Sequence, residues 1–476
     1  MTHFDGLKML DPYHVLLAGN TDPISESGPA FVYDWRGGAL TRLGLPVSVD
    51  GTAHDIQWLP PGTGGRTDGG LYRPTGKGFV LFDTTSGLEL ESYGSPDFHD
   101  VNHAQVLLDG SGTAVVSSRY SSSFHKYDMA VGANIWTVGG AAGTLALVDI
   151  DGALHPPGSS LFYGQHNAEY FGEGEYMLFD NHFNYSSLDF VDGARSRLVI
   201  YEVDEQEQLA REVWELELAD RTPIYGDNDR LPTGNLLASS WPVVIDAADA
   251  FQCGARARAR AALSPARTSR ARARRLASSL RYRLPDRDAT PPPPPPSFAR
   301  PRAPLARSPP LSARRYDARV FEVVRATKQT AWELFVVGRR CTAPADGSRG
   351  CVRTETGGTP TGWSMYSVER FYEAPLVAAV SCAPADGGAP HLNFTAFNNF
   401  KSNGEHTGTY KVFGEGQSTE GGDTPLLEND FYFTRHWRET HVSIDVSSAM
   451  GESNSLVGSV AVLNQWGDRT LKHFSC

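Results

Sequence analysis

Four nine-residue segments of this chain, HDIQWLPPG, NHAQVLLDG, HNAEYFGEG and GDNDRLPTG, share one phase: each ends on a glycine eight residues after it begins. They start at His54, Asn102, His166 and Gly226, so successive starts lie 48, 64 and 60 residues apart. A unit of that size is too long for one hairpin and too short for a domain, but it holds four short antiparallel strands. Between these segments lie five stretches of a second design, an apolar-alternating strand, a turn, and a returning strand. They are FVYDWRGGALTRL from Phe31, GFVLFDTTSGLELESYG from Gly78, FHKYDMAVGANIWTVGG from Phe124, RLVIYEVDEQEQLAREVWEL from Arg197 and ARVFEVVRATKQTAWELFV from Ala318. Alternation at period two with glycine, proline and asparagine at the breaks is the pattern of strands, and helical periodicity is scarce.

The two designs alternate as inner and outer hairpins of a repeated four-stranded blade. The expected fold is therefore all-β, a six-bladed β-propeller, with five blades visible and a sixth assembled from the ends, drawing on GWSMYSVERFY (Gly362–Tyr372). From about Glu373 the rhythm changes: PLVAAVSC, HLNFTAFNNF, GTYKVFG, HVSIDVSS and SLVGSVAVL predict a separate C-terminal β-sandwich. The expected organisation is a first propeller part over 1–253, an insert over 254–315, a last propeller part over 316–372 and the sandwich over 373–476.

The insert stands apart by composition. Gly254 to Arg315 holds 16 Arg, no Lys and two acids, Asp286 and Asp288, and includes the proline run Pro291 to Pro296. From Ala255 to Arg315 there is no Gly, Val, Ile, Asn, Gln, Glu, Lys, His, Met or Trp. Such a segment cannot bury a core and is expected to be disordered. A basic tail for nucleic acid and a surface linker are two readings. Translated non-coding sequence is the third and the favoured one, because the flanks would join into a normal blade without it.

The net charge of −12 hides this asymmetry, since the rest of the chain carries 27 basic and 53 acidic residues. An acidic body of that size argues against a nucleic-acid or anionic-membrane surface. No apolar run is long enough for a membrane-spanning helix. The stretch MTHFDGLKMLDPYHVLL lacks the basic and apolar regions of a signal peptide. Two features still point to an extracellular or secretory-pathway protein: the sequons Asn184-Tyr185-Ser186 and Asn393-Phe394-Thr395, and the cysteine spacing Cys341/Cys351 and Cys382/Cys476. A leader missing upstream of this chain would reconcile the two.

Residues at the same phase of the inner strands sit at similar depth around a propeller axis. That places His54, Asn102 and His166 together. Across the hairpins Arg119 returns close to Asn102, and Asn181 and His182 return beside His166. His99 and His103 flank Asn102. Imidazoles, amides and a guanidinium suit a tetrahedral anion, and a neutral imidazole is also a nucleophile. Each histidine alone has an ordinary alternative, satisfying the backbone or holding channel water. A metal is a competing reading of converging imidazoles, opposed by the cation Arg119. No CxxC, HExxH, GxSxG or phosphate-loop pattern stands in a usable context.

The segments HDIQWLPPG, DFHDVNHAQVLLDGSGTAVVSSR, GQHNAEYFGEGEYMLFDN and LPTGNLLASSW resemble the successive inner hairpins of the PAPS-independent arylsulfotransferase family, roughly from Ala53 to Leu334 without the insert. The resemblance implies a six-bladed propeller and, as substrates, small aryl sulfates and phenols. It implies sulfuryl transfer through a channel histidine, with no cofactor. Residue by residue, Gln165-His166 matches the family's glutamine-histidine pair, which makes His166 the candidate nucleophile. Ser118-Arg119 matches its Ser-Arg, and His54 its earlier channel histidine. Arg119, His54 and Asn102 would hold the sulfuryl oxygens, His99 or His103 would protonate the leaving oxygen, and Asn181 would line the site. This chain has two residues, Asp100 and Val101, between His99 and Asn102 where the family has one, so either His99 is displaced or a local bulge absorbs the extra residue; it has Gly226 where the family can carry a hydroxyl. The alternative function is a non-catalytic extracellular propeller that binds a sulfated or glycan ligand.

Overall fold

A computed structural model describes residues 3–20, 30–43, 55–60, 69–84, 86–187, 189–218, 221–222, 224–240, 317–337, 367–384, 388–419, 422–450 and 455–476. Among these the chain is nearly all β, with one four-residue helix, α1 (Ser447–Met450).

Five four-stranded antiparallel units follow one another. The first is β1 (His3–Met9), β2 (His14–Asn20), β3 (Ala30–Asp34) and β4 (Ala39–Arg42). The second is β5 (Gln57–Leu59), β6 (Gly70–Thr75), β7 (Gly78–Phe82) and β8 (Glu89–Gly94). The third is β9 (Val101–Val106), β10 (Thr113–Ser118), β11 (Ser123–Asp128) and β12 (Ala133–Val138). Next come the short strands β13 (Ala146–Val148) and β14 (Leu154–His155). The fourth unit consists of β15 (His166–Tyr170), β16 (Glu175–Asp180), β19 (Arg197–Asp204) and β20 (Leu209–Glu217), with β13 added in parallel at its outer edge. A small hairpin, β17 (Phe183–Asn184) and β18 (Asp189–Phe190), is inserted within it. The fifth unit is β21 (Asp227–Arg230), β22 (Leu236–Ser240), β23 (Asp317–Val324) and β24 (Gln329–Val337).

Burial grades across a unit. Strands β9 and β10 are buried along their whole length, whereas β4 is exposed throughout and β8 nearly so. All five outer hairpins expected from the sequence are strand pairs, β3–β4, β7–β8, β11–β12, β19–β20 and β23–β24. Strands β22 and β23 pair in register from Leu236↔Val323 to Ser240↔Arg319. The two chain segments that flank 241–316 are therefore neighbours in one sheet, while the arginine-rich stretch lies outside the described residues. So do residues 362–366 of the expected sixth unit, and 367–372 carry no strand.

The core is a relay of apolar clusters between successive units. Leu16, Ile56 and Phe82 join the first to the second; Phe79, Val101 and Tyr127 the second to the third. Phe124, Trp136, Tyr176 and Tyr201 join the third to the fourth, and Phe179, Trp214, Leu236 and Phe321 the fourth to the fifth. Each fully buried side chain of this kind contributes about 1.5–3 kcal/mol. The first strands touch as well, β5 with β9, β9 with β15 and β15 with β21. Amides clasp them: Val106 N–H donates to Gln57 Oε1 (2.6 Å) and Tyr170 N–H to Gln105 Oε1 (2.8 Å). Asn167 and Asn228 each donate to the other's backbone carbonyl at 3.1 Å.

The C-terminal part forms two further antiparallel sheets. One is β25 (Leu376–Pro384), β26 (Pro390–Phe397) and β29 (Thr440–Asp445). The other is β27 (His406–Gly414), β28 (Leu427–Phe433), β30 (Val457–Asn464) and β31 (Arg469–Ser475). Their inward faces share one apolar cluster, and a disulfide joins Cys382 to Cys476. Cys341 and Cys351 lie outside the described residues. This part docks on the units through Leu231, Val320, Phe397 and Trp437, and through Arg438, which donates to the carbonyls of Phe171 and Gly172.

Candidate active site

His166 opens β15 and is 0% exposed. Its Nδ1 lies 2.7 Å from Asn181 Oδ1. The Asn181 amide nitrogen donates to the carbonyls of Thr222 (2.7 Å) and Tyr225 (2.8 Å), so its orientation is fixed and its oxygen faces the imidazole as an acceptor. The proton of the neutral ring must then sit on Nδ1, which leaves the lone pair on Nε2. Tyr225 N–H approaches that nitrogen at 3.3 Å. Burial, and next the positive charge of Arg119, push the His166 pKa down to about 3, against the hydrogen bond to Asn181. The ring is thus neutral across the physiological range.

Two irregularities in the ladders build this corner. In the β9–β10 ladder the register passes from His103↔Ser117 to Val101↔Ser118, so Asn102 is a bulge residue. In β15–β16 it passes from His166↔Phe179 to Glu169↔Met177, a second bulge directly after His166. Left-handed backbone gathers at the same place: Asp100 (φ 62), Asn167 (φ 52), His182 (φ 54) and Tyr225 (φ 67). Non-glycine residues in this region store strain that the surroundings must offset, a feature that recurs at functional sites. Gly226 (φ 123) has no such freedom to change, because a Cβ there would come within 2.5 Å of the Phe179 ring.

Arg119 follows β10 and is 5% exposed. Its guanidinium pairs with the Asp100 carboxylate through Nε and Nη2. Its Nη1 is buried with no hydrogen-bond partner. The guanidinium also lies 4.8 Å from the Tyr120 ring and 4.7 Å from the Tyr185 ring. Burial opposes the charge, but Tyr185 and Asp100 raise the Arg119 pKa above its ordinary value.

The other residues expected from the sequence are distributed as follows. Asn102 is buried and donates to Gln165 O at 2.7 Å, clasping β9 to the residue before β15. Gln165 donates to the carbonyls of Ser118 (3.0 Å) and Ser123 (2.7 Å). His99 is exposed, with its backbone tied to Ser118 Oγ by a 2.7 Å bond from its N–H. His182 rests on Asp180 (2.9 Å) and on the edge of Tyr163, one residue past Asn181. His54 lies outside the described residues. His103 belongs to another cluster. Its Nδ1 is paired with Asp55 Oδ2 at 2.5 Å, and it lines a cavity of about 80 Å³ with Lys8, Gln105, Glu169 and Lys401.

Sequence reasoning missed Asp100, Tyr120, Tyr185 and Tyr225. Asp100 was visible as one of the two residues between His99 and Asn102, and Tyr120 as the residue after Ser118-Arg119. Nothing marked Tyr225, which acts through its backbone.

An arylsulfotransferase (ASST) family model matches residues 87–245. No curated protein matches the chain. Among solved structures, hydrazine synthase of Kuenenia stuttgartiensis aligns at 12% identity over 53% of this chain and 60% of that one, with a TM-score of 0.31. A functionally unknown protein of Desulfotomaculum acetoxidans aligns at 9% identity over 50% and 68%, also with a TM-score of 0.31. Likenesses at that level carry no argument about this chain. Residues 87–245, which hold Arg119, His166 and Asn181, belong to the arylsulfotransferase family.

Proposed function

We propose that this chain moves a sulfuryl group from a phenolic sulfate ester to a phenol, with His166 as the covalent carrier. The carrying observation is the fixed tautomer: Asn181 holds the proton on Nδ1, so the Nε2 lone pair is the reactive one. Nε2 attacks sulfur, the N–S bond forms, and the S–O bond to the aryl group breaks with its electron pair leaving on the phenolate. Asn181 Oδ1 supports the charge that develops on the sulfonated ring. Arg119, through Nη1, stabilises the sulfuryl oxygens. The acceptor phenol oxygen then attacks the same sulfur, the pair returns to Nε2, and the acceptor's proton ends on the donor phenolate. His99, exposed beside Asp100, is assigned the protonation of the leaving oxygen and takes the acceptor's proton in return, so that this proton reaches the donor phenolate by way of His99. We assign Asn102 and His54 to the sulfuryl pocket as well, and His103 to the channel beyond it.

The same reading takes the five units as blades, with a sixth outside the described residues, around an axis where the first strands converge. Support comes from the side chains of those strands: Lys8 is within electrostatic reach of Glu169, Asp55 and Asp227. The two C-terminal sheets are read as a sandwich. The Cys382–Cys476 disulfide fits an oxidising, secretory-pathway location, and no helix among the described residues is long and apolar enough to cross a membrane.

One observation favours the non-catalytic alternative: Tyr225 N–H already covers His166 Nε2. The discriminating experiment is mass spectrometry of the purified protein after incubation with 4-nitrophenyl sulfate. The transferase gains one sulfuryl group on His166 and releases 4-nitrophenol; a pure binder does neither.

A further inference from the structure

Tyr120 lies in the turn between β10 and β11 and is 58% exposed. A single exposed aromatic means little. This one is not single: its ring lies 5.0 Å from that of Tyr185, at an interplanar angle of 52°. Both rings flank the buried Arg119 guanidinium. Tyr185 is anchored from behind, since its ring packs edge-on against Phe183 (5.0 Å), which packs against Phe190 (5.2 Å). It also lies against the backbone of Gly164 (φ 62): a Cβ there would come within 2.8 Å of Tyr185 Cε2. Gly164 is two residues before His166. The glycine lets the aromatic ring approach the chain segment that carries the imidazole.

We propose that Tyr120 and Tyr185 form the aryl-binding face of the site, stacking on the ring of a phenol or phenyl sulfate whose oxygen end is directed toward Arg119 and His166, a role that rests on the transferase reading for the position of the reacting sulfur. Tyr185 is the rigid wall and Tyr120 the exposed ring that closes on the ligand. Offset or edge-on aromatic contact adds attraction beyond area burial. The guanidinium adds directed attraction for the phenolic or sulfate oxygen. A pair of π faces beside a cation selects flat, anionic aromatic compounds over alkyl sulfates.

The test is equilibrium binding of 4-nitrophenol to the full chain by titration calorimetry, with exchange measured separately. Wild type is expected to bind; Tyr120→Phe and Tyr185→Phe, which keep the rings, should stay within about twofold. Tyr120→Ala should weaken binding by roughly fivefold to tenfold, with an unchanged melting temperature because the side chain is exposed. Undiminished binding by Tyr120→Ala, or no binding by wild type, would overturn the assignment. Tyrosine-dependent phenol binding without any sulfuryl adduct leaves the aryl face standing and removes the transferase reading. Full exchange with an unaltered donor KM in Tyr120→Ala removes the aryl face alone.

Discussion

At the residue scale the decisive property of His166 is that it does not titrate where histidines usually do. An exposed imidazole would lose its nucleophilic lone pair as pH falls through about 6.5. Burial and Arg119 lower this one to about 3, so the acid limb of activity should not appear between pH 7 and 5. A pH profile of the exchange rate under saturating donor checks this; a single limb centred near 6.5 would show that His166 is solvated in the working enzyme. Replacing His166 by Ala should abolish both adduct and exchange. Asn181 is a positioning residue, since it acts through the imidazole. Asn181→Leu should lower kcat by up to about ten-thousandfold, by analogy with tautomer loss in other histidine-dependent enzymes. Nitrogen NMR of the ring should then show protonation shared between Nδ1 and Nε2, which a merely structural role for Asn181 would not produce. The sequence made His166, Arg119 and Asn181 legible because each sits at a strand boundary counted from a glycine-marked turn. It could not show which amide did what. Asn102 and Asn181 look equivalent as sequence, and both donate to backbone carbonyls, yet Asn181 also turns its oxygen to the His166 ring.

At the element scale, the extra residue between His99 and Asn102 is absorbed where the β9–β10 ladder shifts register, and Asp100 turns into a left-handed conformation that lets its carboxylate meet Arg119. Alternation alone gives strand existence, not bulges; the residue count between His99 and Asn102 left a displaced His99 or a local bulge as the two outcomes, and the ladder carries the bulge. The same limit applies to the segment between β26 and β27. Lys401 there projects between β15 and β21, donating to Glu169 at 2.8 Å and 2.9 Å and pairing with Asp229. Burial works against ionisation of Glu169, but Lys401 and then Lys8 bring its pKa down to about 2; Asp229, dominated by burial, rises to about 7. Lys401→Met removes one cation and leaves buried carboxylates short of a partner, which costs about 3–5 kcal/mol. The loss should be largest at pH 8 and shrink toward pH 5, because protonation relieves carboxylates that are unpaired in the folded state. Urea denaturation of the full chain at both pH values measures it. A deficit that is equal at both would mean that Lys401 contributes through packing of its stem and not through charge.

At the scale of the whole molecule, the relay of apolar clusters among the described residues runs from the first unit to the C-terminal sheets. Repetition made most of this architecture readable: all five outer hairpins were visible in sequence because each carries its own turn residues. Which distant segments pair was not, since alternation says nothing of long-range partners. The fifth unit is the sharpest case. Its two central strands, β22 and β23, pair residue for residue from Leu236↔Val323 to Ser240↔Arg319, although 78 residues lie between Ser240 and Arg319 in the chain. A connection of that length costs closure entropy that grows only with the logarithm of its length, so shortening it changes stability by a modest amount, about 0.6 kcal/mol for each halving. Deleting Gly254 to Arg315 retains both strands and every apolar contact described here, and it removes 16 arginines against two acids. The expected outcome is an unchanged or slightly higher melting temperature, equal or better solubility, and the same exchange activity. A drop in melting temperature of several degrees on deletion would show that the stretch packs against the fifth unit and is part of the folded protein.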